Sequence, residues 1–501
     1  MIKPSLQQAR ALAEGHTILP IAMEMFADLN TSIGVLNNIR ASGSNCFLLE
    51  SVTTSDSWSR YSFLGCEPSL IVGGTDGCAY TEVRGRRENA DGTPQEVIRG
   101  LLNRYRSPRI SGLPPFTGGL VGYFSYEFAR YSEPSLQLKA ENPEGFDDFR
   151  LMLVDRVIAF DHFRQKIVLM VNIPTENLET AYIEGVTALK DMETLVLSHL
   201  PAAPAGTGLL SQFTPQFSKK TYCSMVKRVQ EHIREGDIFQ AVPSNRYSAD
   251  FDGDLFSTYR ILRTINPSPY MVYMNIGDIE VACASPETLV SLREGQLHTY
   301  PLAGTCPRGA TPEEDEQLIR TLLADEKELA EHDMLVDLGR NDLGKISEFG
   351  TVTVEEYRGI KRFSHVSHIA SRVCGRIGKE YDALDVVGAV LPAGTLSGAP
   401  KKRAMEIIDA VEGQRRGLYG GGIGYLDFSG NLDLCIGIRM AVRKGKRVYV
   451  QSGGGVVADS VPFNEYMETK RKSQAVMDAL ETAQKGNGRI TGPIGGKEQA
   501  L

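Results

Sequence analysis

Two Glu-x-x-Glu pairs, Glu328/Glu331 and Glu465/Glu468, stand near the starts of two amphipathic helical patterns late in the chain. Residues three apart share a helix face, so each pair can aim its carboxylates at one spot. If the two helices converge, the result is an all-oxygen cage for a hard cation such as Mg²⁺. Taken singly, each pair reads more readily as a solvated helix face. Glu287, in Ala284-Ser-Pro-Glu-Thr288, follows the strand-like run Glu280–Cys283. A carboxylate held there serves as a general acid if partial burial raises its pKa, and otherwise caps the loop. His368, in Ser364-His-Val-Ser-His-Ile-Ala-Ser-Arg-Val373, lies on an alternating stretch and is either a proton acceptor or a hydrogen-bonded core histidine; His365 lies nearer the turn.

Other segments suit anions. Gly304 and Thr305, in Tyr300-Pro-Leu-Ala-Gly-Thr-Cys-Pro-Arg-Gly309, offer an amide and a hydroxyl that could grip a carboxylate, or form a simple Pro/Gly turn. Arg439 sits in the alternating stretch Leu434–Val442 and needs a partner there, either a bound carboxylate or an internal acid. The run Tyr449-Val-Gln-Ser-Gly-Gly-Gly-Val-Val457 carries Gly453, Gly454 and Gly455, whose amides can face an anion. Pro400 opens a helix after Thr395-Leu-Ser-Gly-Ala, leaving free amides at its N-terminus. Gly420-Gly-Gly-Ile-Gly-Tyr425 opens no helix and sits in no βαβ unit, so it reads as one arm of a hairpin turning at Asp427-Phe-Ser-Gly-Asn431 rather than a dinucleotide loop.

The elements that must position these groups fall into two regions. Residues 15–200 show strands at Cys46–Glu50, Leu151–Phe160 and Lys166–Asn172, loops at Gly85–Pro94 and Ser107–Gly119, and a closing helix, Leu178–Leu200. A Pro/Ala/Gly-rich linker occupies residues 201–213. Residues 214–483 open with a helix, Lys219–Arg234, and a strand around Ile238–Tyr247, with further helices near Pro312–Val336, Pro400–Val411 and Asn464–Thr482. Strands and helices do not alternate strictly, which predicts an α+β fold of largely antiparallel sheets in a sandwich-like core with helices outside. Residues 484–501 read as a flexible tail.

Composition bounds the function. With 501 residues, 42% hydrophobic and 23% charged, the chain can fill two or three cores. A formal net charge of −8 argues against a dominant nucleic-acid or anionic-membrane role. The polar N-terminus and the lack of a long apolar run predict neither a signal peptide nor a membrane span. Eight scattered cysteines, with no C-x-x-C pair, fit a reducing cytoplasm.

Taken together these segments resemble the chorismate-utilising enzymes, and within them the component I family of anthranilate synthases. The resemblance covers most of the chain and rests on Leu48-Leu-Glu-Ser51, Arg60-Tyr-Ser-Phe-Leu-Gly65, Gly236-Asp-Ile-Phe-Gln240, Asn266-Pro-Ser-Pro-Tyr-Met271, Pro301–Thr305, Glu331-His-Asp-Met-Leu-Val-Asp-Leu-Gly-Arg-Asn-Asp342, Gly394–Pro400 and Asp459-Ser-Val-Pro462. It implies conversion of chorismate and ammonia to anthranilate and pyruvate in tryptophan biosynthesis, with Mg²⁺ on the ring carboxylate. Glu331 and Glu468 would be the metal ligands, supported by Glu328 and Glu465. Gly304, Thr305, Tyr419, Arg439 and Gly453–Gly455 would bind substrate, Glu287 would be the acid and His368 the base of the elimination. Leu49, Glu50, Ser51, Pro269, Tyr270 and Met271 match the tryptophan-binding motifs, implying feedback inhibition by L-tryptophan.

Two positions speak to the reaction. The resemblance places Ala303 where aminodeoxychorismate synthases carry a nucleophilic lysine, and Gln240 where isochorismate synthases carry a water-activating one. Both disfavour those alternatives. No cysteine sits in the Gly-x-Cys-x-Gly loop of a glutamine amidotransferase, so the resemblance implies a separate glutaminase subunit, in a heterotetramer of two large and two small chains. A catalytically silent tryptophan-binding regulator is the reading from another class, disfavoured because Glu287, Glu331, Glu468 and Arg439 are all present. Among the departures, Cys306 stands where many relatives have arginine, near enough to the site to alter affinity.

Overall fold

The computed structural model describes residues 2–43, 45–51, 60–201, 208–362 and 366–485. His365, residues 202–207 of the linker and nearly all of the tail lie outside them. The described residues form one 13-stranded sheet, one 12-stranded sheet and a two-stranded ladder between Gln240–Ala241 and Gly398–Ala399. The strand ladders are antiparallel, as the irregular order of strands and helices predicts.

Both large sheets cross the expected boundary between regions. In the first, Cys46–Glu50 pairs with Tyr270–Ile276. In the second, Gly119–Phe124 pairs with Gly422–Asp427. The residues before and after the linker are therefore two stretches of one pair of sheets, joined by continuous backbone hydrogen bonding.

The first sheet is apolar on both faces, which explains why its strands read as unbroken hydrophobic runs. Along Cys46–Glu50, Phe47 and Leu49 turn into the space between the sheets, where they meet Phe63, Phe116, Leu120 and Tyr425. Cys46 and Leu48 turn the other way, onto Leu36, Leu189, Leu262 and Leu480. Those side chains come from helices Ser32–Ser42, Leu178–Leu197, Phe256–Ile265 and Pro462–Lys485, which cover the outer face.

Four expectations need correction. The strand expected at Leu151–Phe160 is two, Phe149–Val154 in the second sheet and Arg156–Asp161 in the first, with Asp155 between them. Gly85–Pro94 contains a strand, Arg86–Ala90, exposed and polar on both faces at the end of the second sheet, so neither face left an apolar signature. The helix expected at Pro312–Val336 is two, Pro312–Leu323 and Glu326–Gly344, because Asp325 caps a fresh start by accepting from the Lys327 and Glu328 amides. Arg439 does not sit within a strand. Leu432–Ile436 belongs to the second sheet and Met440–Lys444 to the first, and Arg439 makes the corner between them at φ +50°.

That corner has a twin. Ile279–Ser285 lies in the first sheet and Thr288–Arg293 in the second, so Pro286-Glu287 is a second crossing. The two crossings run side by side: the Ile436 amide donates to the Glu287 carbonyl at 3.0 Å, and the Ala284 amide to the Arg439 carbonyl at 3.1 Å. Strands that change sheets make sharp corners in a sandwich, and here two such corners present a carboxyl group and a guanidinium to one cavity.

Candidate active site

The cavity at these corners has a volume of about 540 Å³, the size of a site for a small organic ligand. Glu287 and Arg439 form its floor. The edge strands Leu302–Pro307 and Val366–Arg376 supply Gly304, Thr305 and His368; the end of Arg447–Gly453 supplies Gly453, with Gly455 beyond it; the two glutamate helices close it. Glu328, Glu331, Glu465, Glu468 and Tyr419 line it as well. The site residues expected from the sequence thus come together in one place, Gly454 lying just behind the wall, where a Cβ would stand 3.0 Å from a Glu465 oxygen.

Burial pushes the Glu287 carboxyl up to about 7, against the opposing pull of the Thr395 hydroxyl, which donates to Oε1 at 3.1 Å, and the Lys472 and Arg439 charges. Near neutral pH this group exists in both forms, as a proton donor must. Burial also lowers the pKa of His368, so its ring is neutral at pH 7. Its Nδ1 lies 3.3 Å from the Gly304 carbonyl and 2.9 Å from Thr305 Oγ1. Donation from Nδ1 to the carbonyl makes Nε2 the basic position. Desolvation lowers the pKa of Arg439, with Glu287 pulling the other way.

Two glycines here answer to geometry. Gly304 sits at φ +69° in a bulge between Ala303 and Thr305, and a Cβ would strike Ile369 at 2.9 Å. The bulge turns Thr305 into the cavity and sends Cys306 the other way, onto Ile319, Leu322 and Ile369. Cys306, expected near the site, is next to Thr305 in the chain but packs in a small core and is not among the residues that line the cavity. At Gly453 a Cβ would sit 2.9 Å from the Tyr419 hydroxyl and 2.8 Å from the Pro243 carbonyl.

The four glutamates provide carboxylate oxygen only, the donor set a hard divalent cation prefers. Glu328 and Glu465 are held above the ordinary carboxylate range, first by burial; Glu331 and Glu468 add repulsion for Glu328, and Glu468 does so for Glu465. A bound cation would relieve that repulsion, so the residues fit the ion. Among the described residues, the clusters whose ligand atoms already lie within 4.8 Å of one another are elsewhere. The glutamates face each other across the cavity and would have to draw in. Lys472 also lines the cavity: its Nζ lies 2.7 Å from Glu468 Oε1 and donates to the Gly453 carbonyl at 3.2 Å. The sequence reading missed Lys472; its signal was the Glu468/Lys472 spacing of four on one helix. It missed Lys327 too, which also lines the cavity.

A second cavity lies between the sheets, lined by Leu49, Glu50, Ser51, Pro269, Tyr270 and Met271, the whole second set expected from the sequence. The Ser51 hydroxyl is buried and has no hydrogen-bond partner among the described residues. The Glu50 carboxylate, in contrast, is engaged: Ser32 and Tyr259 donate to it at 2.5 and 2.8 Å, and Arg263 at 2.9 Å. Glu50 therefore anchors the wall. Tyr270 donates to Asp433 at 2.9 Å and lies 3.0 Å from the hydroxyl of Thr288, the residue after Glu287.

Residues 58–478 match the family of chorismate binding enzymes. The chain is 43% identical to anthranilate synthase component 1 of Acetivibrio thermocellus over 493 residues, 96% of this chain and 99% of that protein. It is 45% identical to the protein of the same name from Methanothermobacter thermautotrophicus over 443 residues, 88% of this chain and 90% of that one. Its fold is similar to the crystal structure of anthranilate synthase component I from Streptococcus pneumoniae TIGR4, with a TM-score of 0.76, 35% identity, and coverage of 90% and 98% of the two chains. The menaquinone-specific isochorismate synthase of Escherichia coli shares the fold at a TM-score of 0.69 with 18% identity, covering 95% and 98%. The chain belongs to the chorismate binding enzymes and, within them, to the anthranilate synthase component 1 family.

Proposed function

We propose that this chain is the aminating subunit of an anthranilate synthase, converting chorismate and ammonia to anthranilate and pyruvate in the cytoplasm. The observation that carries the reading is the pairing, in one cavity, of a carboxyl poised near neutrality with a histidine neutral at the same pH. Glu287 donates its proton to the departing 4-hydroxyl as ammonia adds at ring carbon 2. His368 then takes the carbon-2 proton as pyruvate leaves and the ring becomes aromatic. Arg439, Thr305 and the Gly453–Gly455 backbone hold the carboxylates that fix the ring between acid and base. Mg²⁺, held by Glu331 and Glu468 with Glu328 and Glu465 in support, would supply Lewis-acid neutralisation of the ring carboxylate.

Ala303 and Gln240 both line the cavity. Neither side chain can attack carbon or activate water, which supports ammonia as nucleophile over the aminodeoxychorismate and isochorismate alternatives. Ammonia comes from glutamine through a separate glutaminase subunit, in a heterotetramer; that relatives are named component 1 supports such a partner. L-Tryptophan inhibits by entering the inter-sheet cavity, where the Ser51 hydroxyl meets its polar groups and Phe63 and Tyr425 flank its indole.

The test is incubation of the purified chain with chorismate, Mg²⁺ and an ammonium salt, following anthranilate fluorescence. Glutamine in place of ammonium should give no product. Glutamine-driven turnover by this chain alone, or formation of isochorismate instead, overturns the reading. A Ser51→Phe variant should retain turnover and lose inhibition by L-tryptophan; an unchanged inhibition curve removes the regulatory part.

A further inference from the structure

Far along the second sheet, three adjacent strands bring together a set of side chains that the reaction does not use. His298 on Gln296–Thr299 stands directly opposite Cys374 on Val366–Arg376. On the other side of that strand, Thr353–Arg362 pairs Thr353 with Cys374, and a bulge between Val354 and Glu356 contains Glu355. The ligand-type atoms of His298, Glu355 and Cys374 all lie within 4.8 Å of one another.

We propose that His298, Glu355 and Cys374 form a site for one zinc-class divalent cation that clips these three strands together. The donor set is one imidazole nitrogen, one thiolate and one carboxylate. Sulfur and nitrogen donors select Zn²⁺ over Mg²⁺, and three protein ligands leave a fourth position for water. Ligand atoms around one tetrahedral Zn²⁺ stand about 3.5 Å apart. A pair at the 4.8 Å limit therefore closes by about 1 Å, within reach of side-chain rotation because the strands already fix the Cα positions.

The local chemistry is compatible. Burial keeps His298 below its ordinary pKa, so its ring is neutral at pH 7 and has a lone pair to give. Burial and then the Glu355 carboxylate push the Cys374 thiol up to about 12. Cation binding exchanges the thiol proton for the metal and releases it to solvent. Arg372, 3.0 Å from Glu355, is the competing partner the carboxylate gives up. The clip would matter to the larger site, because the Cys374 strand also carries His368, and the next strand after His298 carries Thr305.

Cobalt is the probe, because thiolate ligation gives a charge-transfer band that oxygen and nitrogen donors do not. Chelator-stripped protein, in excess Mg²⁺, should develop this band and tetrahedral d–d bands that saturate at one equivalent of Co²⁺ and vanish on adding Zn²⁺. Zn²⁺ should also raise the melting temperature. Cys374→Ser should lose both effects. His298 is only half-buried, so His298→Asn supplies a second variant less prone to misfold, and it should lose both as well. The second cluster, His232, Glu235 and Asp237, contains no sulfur and cannot mimic the band. No band at one equivalent in the unmodified chain, or a band that survives in both folded variants, overturns the proposal.

Discussion

Glu287 is held in a place that suits its proposed role and costs the fold stability. Its carboxyl has an ordinary value of 4.5 and stands at about 7 in the folded chain. Below pH 4.5 both folded and unfolded states carry the proton, and nothing is lost. Between 4.5 and 7 the unfolded chain ionises first, so stability falls, and above 7 the full difference of about 3 kcal/mol is gone. Glu287→Gln removes that penalty. The variant should lose about 10²- to 10⁴-fold in kcat and yet melt roughly 3 °C above the unmodified protein at pH 8, with the gain shrinking toward pH 5. Calorimetry at the two pH values checks this; a lower melting temperature at pH 8 would count against a buried, poised acid. His368 has a separate signature: its substitution should slow the second half of the reaction and let the aminated intermediate build up in a single-turnover assay. An absent intermediate would assign the base elsewhere.

At the scale of elements, the two glutamate helices turn their carboxylates to one cavity. Glu328 and Glu465 lie in the first turns of Glu326–Gly344 and Pro462–Lys485, Glu331 and Glu468 one turn further on. Lys472 pairs with Glu468 in this structure, and the proposed cation would have to displace it. Titrating activity with Mg²⁺ should show half-saturation moved upward about 10- to 100-fold in Glu328→Ala or Glu465→Ala, and no saturation in Glu331→Ala or Glu468→Ala. Equal effects at all four positions would erase the ranking. The helices and their facing carboxylates were legible because a period near 3.6 survives in any amphipathic sequence. The corners were not. Leu434–Val442 alternates across the Arg439 crossing without a break, because the strands on either side of it are both apolar, and nothing local marks a chain leaving one sheet for another. Lys472 was hidden for a similar reason: a lysine four residues after a glutamate is an ordinary helix-surface pair, and only the cavity distinguishes it. Strand Arg86–Ala90 escaped because it buries nothing.

At the scale of the whole molecule, the shared sheets govern behaviour. Cutting at residues 201–213 would strip Tyr270–Ile276 of Cys46–Glu50 and Gly422–Asp427 of Gly119–Phe124, leaving two apolar sheet edges open. A fragment comprising residues 214–485 should therefore be insoluble or unfolded by circular dichroism, and the intact chain should melt in one calorimetric transition. Two resolved transitions would mean that the halves are separable after all. The shared sheets also constrain how such a chain can change over generations. The inter-sheet cavity takes its walls from Leu49, Tyr61 and Phe63 early in the chain and from Met271, Tyr425 and Asp433 late in it. On the proposal that this cavity takes an inhibitor, a new effector preference could not be imported as one contiguous cassette by recombination. It has to be assembled from scattered substitutions on both sides of the linker, each compatible with the hydrogen-bonded neighbour contributed by the other side, so natural variants in effector response should map as interleaved pairs and not as a block.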